Sequence, residues 1–197
     1  MMAYPEPPVK RVAAFFDLQN LFLSAKDAWG YTYPNFDPVM LARCVVKQNP
    51  TWKLTLICLY TGLPDARRNP VWHAFWVNKL AAHQARDSRV SIFTAPLHYN
   101  NNVASEKGVD IRIALDLVRL ARLNRFDTAL LFSRDTDFAE AAREIRSIAA
   151  ERSRWIKIAS VFPDYRNFRR GIDGTDWIRL SKSDYDSCLD RNDYRLQ

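Results

Sequence analysis

The chain has 197 residues, of which 48% are hydrophobic, and this matches an ordinary globular protein with a single sizeable core. Its 29 Lys and Arg residues outnumber its 22 Asp and Glu residues, and the net charge of +7 favours an anionic partner, nucleic acid before membrane. The three cysteines, Cys44, Cys58 and Cys188, are too few and too widely spaced for a disulfide framework or a cysteine metal site, so a cytoplasmic protein is predicted.

Strand and helix signals alternate from the start of the chain. Residues 1–8 are Pro-rich and are predicted to form a loose tail. Residues 11–17 (RVAAFFD) predict a first strand that is buried on both faces and ends in a carboxylate. Asp37 before a proline is an N-cap signal and predicts a helix over 38–47. Residues 54–60 (LTLICLY) predict a second buried strand.

The same alternation continues through the middle of the chain. Asn69 and Pro70 repeat the cap signal and open a helix that carries Trp72, Phe75, Trp76 and Leu80. These side chains are predicted to belong to the core, and the alternative is a platform on which bases stack. Residues 89–95 predict a third strand. Residues 96–107 have almost no apolar content and predict a mobile surface loop.

The remaining elements complete an α/β pattern. A helix is predicted over 108–123, a fourth strand over 127–133 and a helix from 136 to 151. A fifth strand is predicted over 155–162 and a short sixth over 177–180. Strands that alternate with helices predict a mostly parallel sheet covered by helices on both faces.

The fold class is therefore α/β, with one doubly wound domain. Topological reversal in such a sheet places the first strand beside a strand of the second half, and we expect a strand order of about 3-2-1-4-5. The predicted organisation is a tail at 1–8, one domain at 9–182 and a C-terminal extension at 183–197, because no repeat, low-complexity tract or linker divides the chain.

Carboxylates follow the strands that this order makes neighbours. Asp17 ends the first strand, and Asp135 and Asp137 follow the fourth. Asp110 begins the helix before the fourth strand, on the stripe that packs on the sheet. Four acids at one sheet edge repel one another unless a cation lies between them, and Mg²⁺ or Mn²⁺ is the expected cation. The alternative is that Asp135 and Asp137 only cap the following helix.

Two polar residues near these acids have open roles. Asn20 is placed to orient a water, a carboxylate or a phosphate oxygen, or else to cap the helix that follows the first strand. Asp116 lies at helical spacing from Arg112 and Arg119, which predicts ion pairs on the surface of that helix.

Three sequence blocks resemble the NYN domain family of PIN-like nucleases. They are 16–21 (FDLQNL), 106–110 (EKGVD) and 133–138 (SRDTDF), they occur in the order of the family, and the resemblance extends from about Val9 to Leu180. It implies a PIN-like Rossmannoid fold, a metal-dependent ribonuclease activity with one or two metal ions, and catalytic metal-binding carboxylates. Those carboxylates would be Asp17, Asp110, Asp135 and Asp137.

The chain departs from the family pattern at Arg134, where the family usually has Gly. An arginine there either folds over the carboxylates in place of a metal or points outward to hold a substrate phosphate, and we favour the outward position. The family also often has an acid that matches Asp116, which weakens the ion-pair interpretation of that residue. Lys107 precedes the glycine of the second block and is a candidate phosphate contact, or a solvated loop lysine.

A second basic cluster, defined as residues 165–170 (YRNFRR), follows the fifth strand. Aromatic rings between arginines suit single-stranded nucleic acid, so Arg166, Arg169 and Arg170 are predicted substrate contacts. The alternative is an exposed loop with its rings packed on the core.

The leading prediction is a metal-dependent endoribonuclease that hydrolyses single-stranded RNA, and the alternative is a non-catalytic RNA-binding or regulatory module with the same fold. Asp17 lacks the second aspartate of aspartyl-phosphate enzymes, and no Gly-rich phosphate loop follows a strand. No apolar run is long enough to cross a membrane, and the N-terminus lacks the apolar core of a signal peptide. A homo-oligomer is left open.

Overall fold

The computed structural model describes residues 4–101, 103–168 and 170–195. The strands are β1 (Lys10–Asp17), β2 (Trp52–Leu63), β3 (Val90–Pro96), β4 (His98–Asn100), β5 (Val103–Ser105), β6 (Thr128–Phe132), β7 (Lys157–Pro163) and β8 (Asp176–Leu180). The helices are α1 (Leu18–Trp29), α2 (Pro38–Lys47), α3 (Pro70–Arg86), α4 (Val109–Arg122), α5 (Ala139–Glu151) and α6 (Lys182–Asp186), and a 3-10 turn (Thr136–Phe138) precedes α5.

The central sheet has six parallel strands in the order β3-β2-β1-β6-β7-β8. The five strands predicted from buried apolar runs are β1, β2, β3, β6 and β7, and they follow one another in the predicted order. The sheet differs from that order only in its extension by β8 at one edge. The α/β prediction with a mostly parallel sheet is confirmed.

Burial on both faces explains why these runs form central strands. In β1, Val12, Ala14 and Phe16 face one hydrophobic cluster, while Ala13 and Phe15 face the other. Helices α1, α2 and α3 cover the first face, and α4 and α5 cover the second. A strand covered on both sides needs apolar side chains at nearly every position, and this is the pattern of β1 and β6.

The predicted helix starts at Asp37 and Asn69 are confirmed. The Asp37 carboxylate accepts hydrogen bonds from the N–H groups of Val39 and Met40, and the Asn69 side chain accepts one from Trp72. These bonds satisfy N–H groups that the first helical turn leaves without partners. Within α3 the side chains of Phe75, Trp76 and Leu80 are buried, as predicted, whereas Trp72 is only half-buried.

The prediction of a loop over 96–107 was wrong, because β4 and β5 form a short antiparallel hairpin there. The pairing joins His98 to Ser105 and Asn100 to Val103. Backbone groups make these hydrogen bonds, so the hairpin needs no apolar pattern in its sequence, and the absence of that pattern was the basis of the prediction. The Tyr99 hydroxyl accepts a hydrogen bond from the N–H of Asp65 and ties the hairpin to the loop after β2.

The segment after β8 packs against the core. Tyr185, Cys188 and Tyr194 belong to the cluster on the first face of the sheet. The domain boundary at residue 182 stays a prediction, although the described part of the extension contributes to the same core as the domain. Within the described ranges, no helix is long and apolar enough to cross a membrane.

Candidate functional site

A cavity of about 550 Å³ opens at the carboxyl edge of the sheet, beside the ends of β1 and β6 and the start of α4. Four acidic side chains line this cavity: Asp17, Glu106, Asp110 and Asp135. Asn20 and Lys107 line it as well. Three of the four predicted carboxylates therefore share one cavity with two of the predicted polar contacts, as expected for the ends of neighbouring parallel strands.

Asp17 is the most deeply buried of these acids, with 8% of its surface exposed. Its carboxylate accepts a hydrogen bond from the N–H of Asn20 at 3.0 Å and lies 3.5 Å from the Ser133 hydroxyl. Burial raises the pKa of Asp17 to about 6, and the charges of Asp135 and Asp110 add to this rise. The two hydrogen bonds oppose the rise in pKa, because they stabilise the ionised form.

Hydrogen bonds fix the end of β1 against the loop that follows β6. The Asn20 side-chain oxygen accepts the N–H of Arg134 at 3.0 Å, and the Ser133 hydroxyl oxygen accepts the N–H of Asp135 at 3.1 Å. Asn20 lies in the first turn of α1, and its side chain makes a contact that the sequence did not predict. It joins the segment that carries Asp17 to the segment that carries Asp135. Asp17 and Asp135 are therefore held by one connected network.

Asp110 lies in the first turn of α4, and Gly108 precedes that helix with a φ of 78°. The left-handed backbone at Gly108 turns the chain from the hairpin into the helix. This conformation is strained for most residues that have a side chain. Asp135 caps the 3-10 turn, and its carboxylate accepts the N–H of Asp137 at 3.0 Å. The side chain of Asp137 is exposed and does not line the cavity, so the structure separates this residue from the other predicted ligands.

Glu106 also lines the cavity, although it was not among the site residues predicted from the sequence. Burial and the charge of Asp17 raise the pKa of Glu106 to about 7, while the N–H of Gly62 donates a hydrogen bond that opposes the shift. Its Oε2 atom is buried and has no hydrogen-bond partner among the described residues. The signal that could have identified it is its place four residues before Asp110, at the sheet edge where the other acids lie.

Comparison with known proteins identifies the fold. The sequence matches the family model of the NYN domain over residues 11–151. The chain belongs to the NYN domain family. NYN domains have the PIN-like nuclease fold, and the family acts on nucleic acid.

Other comparisons add the fold alone. A search of curated proteins found no match. A solved structure of a protein of unknown function from Vibrio parahaemolyticus resembles this NYN domain with a TM-score of 0.56 and 16% sequence identity. The alignment covers 92% of this chain and 98% of that chain, so the likeness includes the elements after the family match as well.

Arg134 of this NYN domain does not fold over the carboxylates, and its contact with a substrate phosphate stays a prediction. Its guanidinium lies over the ring of Phe168, 3.6 Å from the ring centroid, and it does not line the cavity. Burial lowers the pKa of Arg134, with a weak opposing effect of Asp27. This stacked side chain joins the loop after β6 to the loop after β7.

Asp116 lies outside the cavity. It accepts hydrogen bonds from Arg112 at 2.8 Å, from Arg119 at 3.0 Å and from the Tyr60 hydroxyl at 3.1 Å. The predicted ion pairs are therefore present, but Asp116 itself is buried rather than on the surface. The hydrogen bond from Tyr60 connects Asp116 to β2 of the central sheet.

The two aromatic rings of the basic cluster 165–170 pack against each other, and the two arginines that the structure describes there are exposed. Phe168 is buried, and Tyr165 meets it edge-on with 5.4 Å between the ring centroids. Arg166 and Arg170 are exposed, while the prediction for Arg169 falls outside the described residues. Burial makes the Phe168 ring unavailable for stacking on a base, whereas Tyr165 is half-buried. The exposed arginines of this loop offer positive charge to a phosphate.

A second group of residues resembles a metal site in composition. Ligand atoms of Asp37, His83 and Asp190 lie within 4.8 Å of one another. Arg86 donates to Asp37 at 2.5 Å and to Nδ1 of His83 at 2.8 Å, so the imidazole proton lies on Nε2. Lys79 lies 3.6 Å from Asp190. Both carboxylates have a cation beside them and the imidazole lone pair is occupied, so this buried group is a structural ion network.

Proposed function

We propose that this NYN domain is an endoribonuclease that hydrolyses single-stranded RNA with the help of Mg²⁺ or Mn²⁺. The observation that carries the proposal is the crowding of four carboxyl groups in one cavity at the ends of β1 and β6. In the part of the chain that the structure describes, neither Asp17 nor Glu106 forms a salt bridge. Burial without a cationic partner leaves this negative charge uncompensated.

The residues of the cavity fit a divalent cation. Glu106 presents a buried oxygen without a partner, and all four acids offer the oxygen ligands that Mg²⁺ and Mn²⁺ prefer. Among the described residues, no three carboxylates of the cavity meet the 4.8 Å spacing found for Asp37, His83 and Asp190. This wider spacing suits an ion that retains several waters and takes only one or two carboxylates directly.

Each side chain then has a proposed role. Asp17, Asp110 and Asp135 would hold the cation, which when bound supplies activation of water and neutralisation of phosphate charge. Glu106, whose pKa of about 7 lies near neutral pH, would accept a proton from the attacking water at Oε2. Lys107 would bind a phosphate oxygen of the substrate. Asn20 would hold the end of β1, which carries Asp17, next to the loop that carries Asp135.

Cleavage of a labelled unstructured RNA tests the proposal. We expect endonucleolytic products with Mn²⁺ or Mg²⁺ and none with excess EDTA, with a single-stranded DNA of the same sequence as a parallel substrate. Asp110→Asn should abolish the products, whereas Asp173→Asn, at an exposed position, should not. RNA that is bound but never cut would favour the alternative, a non-catalytic RNA-binding module.

An Arg134 that folded over the carboxylates in place of a metal would favour this alternative. In the structure its guanidinium stacks on Phe168 and leaves the carboxylates free, so it does not replace a metal. This placement supports the catalytic proposal over the alternative.

A further inference from the structure

A second cavity adjoins the acidic one. It has a volume of about 230 Å³, and Gln19 and Leu23 line both cavities. Its walls include three aromatic side chains, Phe22, Trp72 and Trp76. The described structure thus places an aromatic recess directly beside the candidate catalytic residues.

We propose that this recess binds one unpaired nucleobase of the substrate strand, at a nucleotide that flanks the cleaved phosphate. The inference rests on the proposed function, because it takes the acidic cavity as the place of cleavage. It adds to that function a subsite that selects unpaired nucleic acid, since a base held in a duplex cannot enter a recess.

The walls suit a flat heterocycle with polar edges. Trp72 is half-buried, and Phe75 meets it edge-on with 5.2 Å between the ring centroids, which fixes the orientation of the indole. Thr61 and Asn69 add polar groups to the lining. The volume is below the roughly 300 Å³ of pockets for drug-sized ligands, and a single base is an occupant of this smaller class. Rings for stacking and a few polar groups are how proteins hold single-stranded bases.

Positively charged side chains lie next to the recess. A third cavity, lined by Arg68 and Tyr99, shares Pro64, Asn69 and Leu97 with the recess. The Arg68 guanidinium lies 4.7 Å from the centre of the Tyr99 ring, and Arg67 beside it is exposed. Acids, aromatic rings and arginines therefore follow one another in adjoining cavities. A strand whose phosphate is cut at the acids finds a base site next and cations for its following phosphate after that.

Gly62 on β2 separates the recess from the acidic cavity. A side chain at this position would meet Leu97 on the recess side and Glu106 on the acidic side. The N–H of Gly62 also donates to Glu106. Leu97 and Glu106 approach the backbone here so closely that position 62 has no room for a side chain.

Binding of a short fluorescent RNA in EDTA tests the inference without cleavage. One nucleotide at a time is replaced by an abasic nucleotide, and the dissociation constant is measured for the wild type and for Trp72→Ala. Because stacking accounts for the loss, we expect one abasic position to weaken wild-type binding by roughly 10-fold and to have no further effect on Trp72→Ala. Trp72→Phe, which keeps a ring, should retain most of the wild-type difference.

Trp177→Ala is the matched control, because Trp177 is 42% exposed on β8 and lies outside the recess. It should keep the full sensitivity to the abasic position. The inference is overturned if no abasic position weakens wild-type binding beyond the others, or if Trp72→Ala keeps the wild-type pattern. Failure of the wild type to bind single-stranded RNA at all would instead overturn the proposed function itself.

Discussion

Asp17 is the most deeply buried acid of the acidic cavity, and its pKa is raised there together with that of Glu106. Burial raises the pKa of Asp17 in the folded protein to about 6, above its ordinary value of 3.8. Since the folded state binds the proton more tightly, the contribution of this group to the free energy of unfolding falls as the pH rises between these values. At neutral pH the metal-free protein is thus destabilised by its own candidate site.

Asp17→Asn should therefore raise the melting temperature in EDTA at about pH 8, where the wild-type residue is charged. A pKa rise of this size corresponds to about 1–3 kcal/mol, or roughly 3–8 °C for a domain of this length. At about pH 4 the effect should be much smaller, because the wild-type residue is then protonated in the folded state. Asp173→Asn is the exposed control for thermal melts at both pH values. Equal shifts at both would refute this electrostatic interpretation.

The stacking of Arg134 on Phe168 leads to a prediction about stability and metal affinity. Arg134→Gly removes the guanidinium from the Phe168 ring and should lower the free energy of unfolding by about 1–2 kcal/mol. Mn²⁺ affinity, measured by calorimetry, should stay within about twofold of the wild type, because the guanidinium does not line the cavity. Phe168→Leu should abolish the stacking part of that loss in a double-mutant cycle. Markedly tighter Mn²⁺ binding by Arg134→Gly would mean that the guanidinium competes with the metal.

At the scale of elements, β1 and β6 were predictable because burial on both faces leaves an uninterrupted apolar run in the sequence. The helix starts at Asp37 and Asn69 were predictable because capping is local chemistry. The hairpin β4–β5 was not, since its pairing depends on backbone groups, and Tyr99 is fixed by a partner in a distant loop. Local signals identify an element, while contacts between distant segments decide how a polar stretch folds.

The same distinction applies to the site. Asp17 and Asp135 were predictable from strand ends, because parallel strands bring those ends together. Glu106 had only a weak signal, its place four residues before Asp110, and its contact with Gly62 of β2 joins segments that are remote in sequence. Asp137 is two residues from Asp135, and only the structure shows that it is exposed and does not line the cavity.

The ion network at the end of α3 should anchor the C-terminal segment. The side chain of Asp190 is 4% exposed, and it lies 3.6 Å from Lys79 and 2.9 Å from the Tyr194 hydroxyl. Asp190→Ala leaves the buried Lys79 without its carboxylate partner, with the Phe36 carbonyl still accepting a hydrogen bond from it, and should lower the free energy of unfolding by about 3 kcal/mol. Asp193→Ala, which removes an exposed pair with Arg195, should have no measurable effect in the same urea denaturation. Equal effects of the two changes would show that the network does not anchor the segment.

At the scale of the whole molecule, the charge of +7 coexists with a strongly acidic cavity. Under the proposed function, the net positive charge would attract an RNA backbone with or without metal, and only the phosphate to be cut would need a cation before it approaches the acids. The molecule therefore separates binding of the strand from binding of the metal.

Arg166 and Arg170, both exposed after β7, are the predicted strand contacts that the structure leaves accessible. Replacing both by Ala should weaken RNA binding and reduce the slope of log K against log salt by about 1 to 2. Fluorescence anisotropy over a salt series measures this slope. Arg122→Ala with Arg143→Ala is the control, since both arginines are occupied by glutamates. An unchanged slope would show that the cluster 165–170 is only a solvated loop.

The rate of RNA cleavage by Asp135→Asn and Asp137→Asn under single-turnover conditions with Mn²⁺ tests the central claim most directly. The two acids lie in the same turn, but only Asp135 lines the cavity with Asp17, Glu106 and Asp110. We predict a loss of at least about 100-fold for Asp135→Asn, with an intact fold by circular dichroism, and a change of no more than a few-fold for Asp137→Asn. Wild-type cleavage by Asp135→Asn, or a greater loss in Asp137→Asn, would contradict the assignment of this cavity as the catalytic site.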